Sequence, residues 1–201
     1  MTCKKSLIIT LALVLFTMSA NSALILDDSF ESPVITPDPS LTFLKLYDTG
    51  ETFGSWLVVS GDIEVANDTY GGFAAYDGDQ RIALNGTVPG KIGTELATAA
   101  GQEYTVSFYI YNNNDVTVGF AGASDDAYID SDIFNAGSSS WQEQTWNFTA
   151  QGASTWLFFE GDATSANSGP SLDMVTVVPE PATMAILILG GIGMRSMRRF
   201  R

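Results

Sequence analysis

EYTVSFYIY (residues 103–111) alternates two kinds of side chain. Tyr104, Val106, Phe108 and Ile110 fall on one side of an extended chain, and Thr105, Ser107, Tyr109 and Tyr111 fall on the other, because successive β residues point to opposite faces. The spacing predicts a strand with the first set in a core and the second half exposed. Outward from it the same grammar repeats. WLVVSGDIEVAN (56–67) gives two strands around Gly61 and Asp62, QRIALNG (80–86) a strand ended by Asn85-Gly86, and GTELATAAG (93–101) another. DVTVGFAG (115–122) follows three asparagines, a run suited to a turn because Asn tolerates positive φ. WQEQTWNFTA (141–150), STWLFFEGD (154–162) and SLDMVTVV (171–178) complete the set. About nine strands in roughly 155 residues, with no sustained helical period, predict an all-β fold, a single jelly-roll β-sandwich.

The two ends of the chain lie outside that pattern. Lys4 and Lys5 precede the apolar run Leu7 to Met18, and the small residues SANSA follow, as in a secretory signal peptide. Residues 1–23 are therefore expected to be removed after Ser22 or Ala23, taking with them Cys3, the only cysteine. The sandwich is expected over 24–177, and residues 178–201 form a separate tail. In the tail, Pro179, Glu180 and Pro181 precede the apolar run Ala182 to Met194, which ends in the basic tip Arg195, Arg198, Arg199 and Arg201. Thirteen residues make a helix of about 20 Å, short of a bilayer core of about 30 Å, and the arginines hold that end on the cytoplasmic side.

Charge bounds the chemistry. Between residues 24 and 178 the bases are Lys45, Arg81 and Lys91, against all but one of the chain's 23 acids. A charge of about −19 repels phosphate backbones and excludes nucleic acid as a partner. With no histidine and no retained cysteine, the common triads cannot be built. A carboxylate pair suitable for glycoside hydrolysis arises by chance in so acidic a chain and signals nothing, so a non-enzymatic protein is expected.

Two loops stand out. NDTYGGFAAYDGDQ (67–80) sets Tyr70, Phe73 and Tyr76 among glycines and carboxylates, and GASDDAYIDSDIFNAGSSS (122–140) does the same for Tyr128. Rings beside carboxylates and amides suit a sugar, which stacks its apolar face and hydrogen-bonds its hydroxyls; alternatively, the rings staple their loops to the sandwich. Asp173 shares a face with Val175 and Val177 if the strand is regular, and a buried carboxylate needs a partner. With so few bases at hand, Ca²⁺ bound by oxygen ligands is one choice, with Asp27, Asp28 and Glu31 near the other end of the domain. Main-chain hydrogen bonds or exposure to solvent are the others.

The tail, from Val178-Pro179-Glu180-Pro181-Ala182 through the apolar run to the arginines, resembles the PEP-CTERM sorting signal of exported bacterial proteins. That resemblance implies an exosortase as partner, transient anchoring in the inner membrane, removal of the tail, and a place at the cell surface or outside the cell. The segments DDSFESP, SWLVVSGDIEVA, DGDQRIALNGTVPGKIGTELATAAGQEYTVSFYI and GPSLDMVTVV are similar to the choice-of-anchor C and DUF642-like exported domains, which are galactose-binding-type jelly rolls. This likeness implies association with extracellular polysaccharide and a structural Ca²⁺ between Glu31 and Asp173. A structural biofilm protein with no sugar site is the alternative, and a glycoside-active enzyme a more distant one.

Overall fold

The computed structural model describes residues 23–36, 43–67, 70–112, 114–162 and 169–181. Among them lie thirteen strands: β1 (Leu26–Asp28), β2 (Leu44–Asp48), β3 (Thr52–Phe53), β4 (Trp56–Ser60), β5 (Asp62–Asn67), β6 (Gln80–Ala83), β7 (Lys91–Ala97), β8 (Glu103–Tyr111), β9 (Asp115–Ala121), β10 (Asp130–Asn135), β11 (Gln142–Thr149), β12 (Ser154–Gly161) and β13 (Ser171–Pro179). They make two antiparallel sheets. Sheet A runs β11-β8-β13-β6-β5-β2, with β1 added alongside β13, and sheet B runs β10-β9-β12-β7-β4-β3. First and last strands pair, Leu26 opposite Val177. No helix among the described residues is long and apolar enough to cross a membrane. The expected signal peptide, the apolar run 182–194 and Arg195, Arg198, Arg199 and Arg201 lie outside the described residues.

The inner faces meet in one aromatic and aliphatic core. Val106, Phe108 and Ile110 of β8 are fully buried, as their alternation predicts. Phe108 packs edge-on against Phe159 of β12 at 5.1 Å, and Trp56 of β4 meets the same ring at 5.9 Å. Burying each such side chain is worth about 1.5–3 kcal/mol. The N-terminal segment closes one side of this core. Asp28 accepts the Phe30 amide at 2.8 Å and the Trp56 indole N–H at 2.9 Å, holding Phe30 buried at φ 61°.

Four features depart from the sequence reading. WLVVSGDIEVAN does form two strands, but they belong to different sheets. The chain crosses at Gly61, whose φ is 65° and where a Cβ would sit 1.9 Å from the Pro89 carbonyl oxygen, so no side chain fits. The stretch expected as a loop around Asp130 and Asp132 contains β10, an edge strand paired only with β9 among the described strands. Its side chains are mostly exposed, so it shows no alternation; only Phe134 packs inward, edge-on to Phe108 at 5.3 Å. The two aspartates put charge on an open edge, which disfavours pairing with another chain.

The third departure concerns Asp173. In β13 the register shifts between Asp173 and Thr176, so that Met174 and Val175 together oppose one residue of β8. Met174 has a φ of 47°. Such a bulge moves the residues on its two sides to opposite faces. Asp173 therefore lies opposite Tyr109 on the outer face, while Val175 and Val177 remain in the core. Fourth, β13 continues past residue 177, through Pro179.

Candidate functional site

The outer face of sheet A carries Tyr109 and Tyr111, two residues apart on β8, and the loop from Tyr70 to Asp79 folds down over them. Phe73 lies parallel to Tyr111 with centroids 3.9 Å apart and planes within 6°. The Arg81 guanidinium is also 3.9 Å from the Phe73 centroid. Two groups that close to one ring must take its two faces, so Phe73 is sandwiched and has no face left for a ligand. Arg81 is buried beneath it and donates to the Asn67 carbonyl at 3.1 Å. Tyr76 stacks on Tyr109 at 3.5 Å, with planes within 13°. It is 45% exposed, and the ring face turned away from Tyr109 is the open one. Trp141, just ahead of β11, sets its ring edgewise to both Phe73 and Tyr76 at 6.1 and 6.3 Å. Its indole N–H donates to the Ala74 carbonyl at 3.0 Å, tying the loop's middle to that ring.

Two carboxylates hold the second half of this loop. Asp173, fully buried, accepts from the amides of Tyr76 (2.7 Å) and Asp77 (3.1 Å) on one oxygen and from Met174 (2.7 Å) on the other. Glu31 accepts from the amides of Asp79 (2.9 Å) and Gln80 (2.7 Å). Gly78 lies between, at φ 69°, where a Cβ would come within 2.4 Å of the Glu31 carboxyl carbon. Glu31 and Asp173, the residues expected from sequence to share a Ca²⁺, hold neighbouring stretches of one loop. Both carboxylates are engaged by main-chain N–H groups, and among the described residues no group of three or more His, Cys, Asp or Glu converges to hold a metal ion. The side chains present do not by themselves make a Ca²⁺ site.

The electrostatics follow from this packing. Burial pushes the Asp173 carboxyl up to about 7, against the opposing pull of its three N–H donors. The Tyr109 hydroxyl is pushed up to about 12, first by its hydrogen bond with Tyr76 and then by burial and by Glu143. Asp77 and Asp79, both exposed, follow Tyr76 in the chain.

Of the rings singled out in the sequence, Phe73 and Tyr76 come together here. Tyr70 opens the short 3-10 turn Tyr70–Gly72, and its side chain is outside the described residues. Tyr128 is elsewhere, on the outer face of sheet B above Gly119, where a Cβ would be 2.7 Å from its ring. Its hydroxyl donates to Glu160 at 2.6 Å, and Lys91 lies 4.1 Å from its centroid. Burial, with Glu160, raises its ionisation well above the usual range. It staples its loop. Sequence reasoning left out Tyr111, Trp141 and Arg81; the outward-facing Tyr109 and Tyr111 were the available signal. A separate cavity of about 230 Å³, lined by Phe120, Ile129, Gln151 and Thr155 among others, has no charged group in its wall.

Replacing Asp173 with Ala leaves three N–H donors without their acceptor, at an expected cost of about 2–4 kcal/mol; chemical denaturation should show it. The pH dependence has a definite sign. The folded domain binds the Asp173 proton more tightly than the unfolded chain, whose aspartates titrate near 3.9. This group's contribution to stability is therefore full below about pH 4 and is lost as pH rises through about 7. The melting-temperature difference between wild type and Asp173→Asn should shift in favour of the variant from pH 4.5 to 8, and a constant difference would contradict it.

Among solved structures, an arabinose-bound α-L-arabinofuranosidase, MgGH51, is similar over 80% of this chain and 27% of its own, at 12% identity and a TM-score of 0.50. The CBM22-1 xylan-binding domain from Paenibacillus barcinonensis Xyn10C is similar over 79% of this chain and 95% of its own, at 16% identity and a TM-score of 0.48. A family 35 carbohydrate binding module from Clostridium thermocellum covers 67% and is covered over 90%, at 16% identity and a TM-score of 0.41. At such identities the likeness is one of fold. No curated protein sequence matches the chain. Residues 23–178 match a family described as protein of unknown function, and on that match, which spans well over half of its length, the chain belongs to the DUF642 family.

Proposed function

We propose that this chain is an exported, non-catalytic polysaccharide-binding protein whose binding face is centred on Tyr76. The observation that carries the reading is the Tyr76 ring itself: flat on Tyr109, exposed otherwise, and followed in the chain by the exposed Asp77 and Asp79. A pyranose stacks on such a ring and hydrogen-bonds the surrounding carboxylates. The loop is held on either side of Gly78 by Asp173 and Glu31, so little ordering entropy is lost there on binding. Phe73 supports the platform from within, and Tyr128 takes no part. The tail supports export: its resemblance to a sorting signal makes an exosortase the partner, with transient residence in the inner membrane before display at the surface or release. The competing reading, a structural matrix protein with no sugar site, is favoured by the sandwiching of Phe73, which turns one expected ligand ring into packing.

Affinity electrophoresis in gels containing xylan, a β-glucan or exopolysaccharide from the producing cells separates the two. Retardation should be lost or weakened about tenfold or more in Tyr76→Ala, largely kept in Tyr76→Phe and unchanged in Tyr128→Ala. Absence of retardation in every gel, together with self-association, selects the structural reading.

A calcium ion at Glu31 and Asp173 is a further proposal, and it would have to complete its shell with main-chain carbonyls and water. A ligand bound to the native state raises its stability. EDTA should then lower the melting temperature and added Ca²⁺ restore it; an unchanged melting curve discards the ion.

A further inference from the structure

The C-terminal end of β13 carries contacts that bear on where the tail can be removed. Val178 lies opposite Thr105 and Pro179 opposite Tyr104. Beyond the strand, the Glu180 amide donates to the Glu103 carbonyl at 2.8 Å. The Glu180 carbonyl accepts from the Gln102 side-chain amide at 2.8 Å. Its carboxylate meets the Thr105 hydroxyl, which also reaches Asn147. Glu180 is thus held to β8 through its amide, its carbonyl and its side chain.

A protease or transpeptidase takes its substrate as an extended chain with free main-chain groups, much as a sheet takes an added strand. Every bond up to Glu180 is already engaged with β8, so cutting there requires the strand end to be peeled away first. Proline sharpens the boundary. The bonds Val178–Pro179 and Glu180–Pro181 run to ring nitrogens that carry no hydrogen and are flanked by a bulky ring. The first ordinary amide bond past the clasp is Pro181–Ala182.

We infer that Pro179-Glu180-Pro181 is the seal of the folded domain, and that the chain is cut at Pro181–Ala182 or further along, with Glu180 kept in the product. This rests on the reading of the tail as a removable sorting segment. In the cut, the acyl carbon before the scissile bond exchanges its bond to the tail nitrogen for one to a water oxygen or to the nitrogen of an acceptor amine. The proton lost by that water or amine goes to the departing nitrogen, so the step balances without oxidant or reductant.

Native digestion of the full-length protein with proteinase K, followed by intact mass measurement of the resistant core, tests the seal without any sorting enzyme. The wild-type core should end at Pro181 or beyond. The double variant Thr105→Val, Glu180→Ala should be trimmed back to Pro179 or Val177 with the rest of the core intact. A wild-type core that ends before Glu180, or a double variant trimmed no further than wild type, overturns the proposal. The mass of the mature protein from a host with an exosortase provides the second arm. A C-terminus at Pro181 or later supports the inference, and one at Val178, Pro179 or Glu180 overturns it. An uncut chain in that host sinks the sorting reading alone, because the digestion already decides the seal.

Discussion

One carboxylate organises the outer face of this protein. Asp173 is fully buried, yet it lies on the side of sheet A that would otherwise face water, because the bulge at Met174 turns it out of the core. Three main-chain amides converge on it. A buried charge without such donors would be strongly unfavourable, so the loop that buries Asp173 also has to supply its partners. That reciprocity fixes the loop's height above the sheet. At that height Tyr76 lands on Tyr109 and Phe73 on Tyr111, so the positions of both rings are set by packing within the chain.

Glu31 repeats the device from the other end of the chain. It follows the β1 segment, whose Asp28 holds Phe30 and Trp56 in place, and it takes the amides of Asp79 and Gln80, where the loop enters β6. The loop is therefore gripped by residues near the first and last strands, which themselves pair. Closing the sandwich and shaping its outer face are one event. In a domain without a disulfide, this coupling links the site to the folding of the whole.

The scarcity of positive charge is handled in the same economical way. Lys45 lies 4.4 Å from the Tyr47 ring, Arg81 lies under Phe73, and Lys91 lies against both Tyr128 and Phe158. All three bases of the domain touch aromatic faces, an arrangement that gains from the ring quadrupole. The remaining charge of the domain is carboxylate.

The sequence by itself determined the elements. Period-two alternation located β8, β9, β11, β12 and β13, and the lack of histidine leaves the common triads unbuildable, since these follow from local geometry and composition. It also singled out Glu31 and Asp173 together, as residues for a Ca²⁺; that both hold one loop is visible only in the tertiary structure. It did not show β10, whose exposed side chains leave no pattern because only backbone pairing holds it. Nor did it show which sheet each half of WLVVSGDIEVAN joins. The face of Asp173 was decided by one extra residue in a bulge, an event that depends on how β13 pairs with β8 and leaves no local trace. The partnership of Phe73 with Tyr111 and Arg81, and of Tyr76 with Tyr109, likewise joins residues from different strands and a loop. Alternation states that a ring faces outward; only the tertiary fold states what lies on top of it.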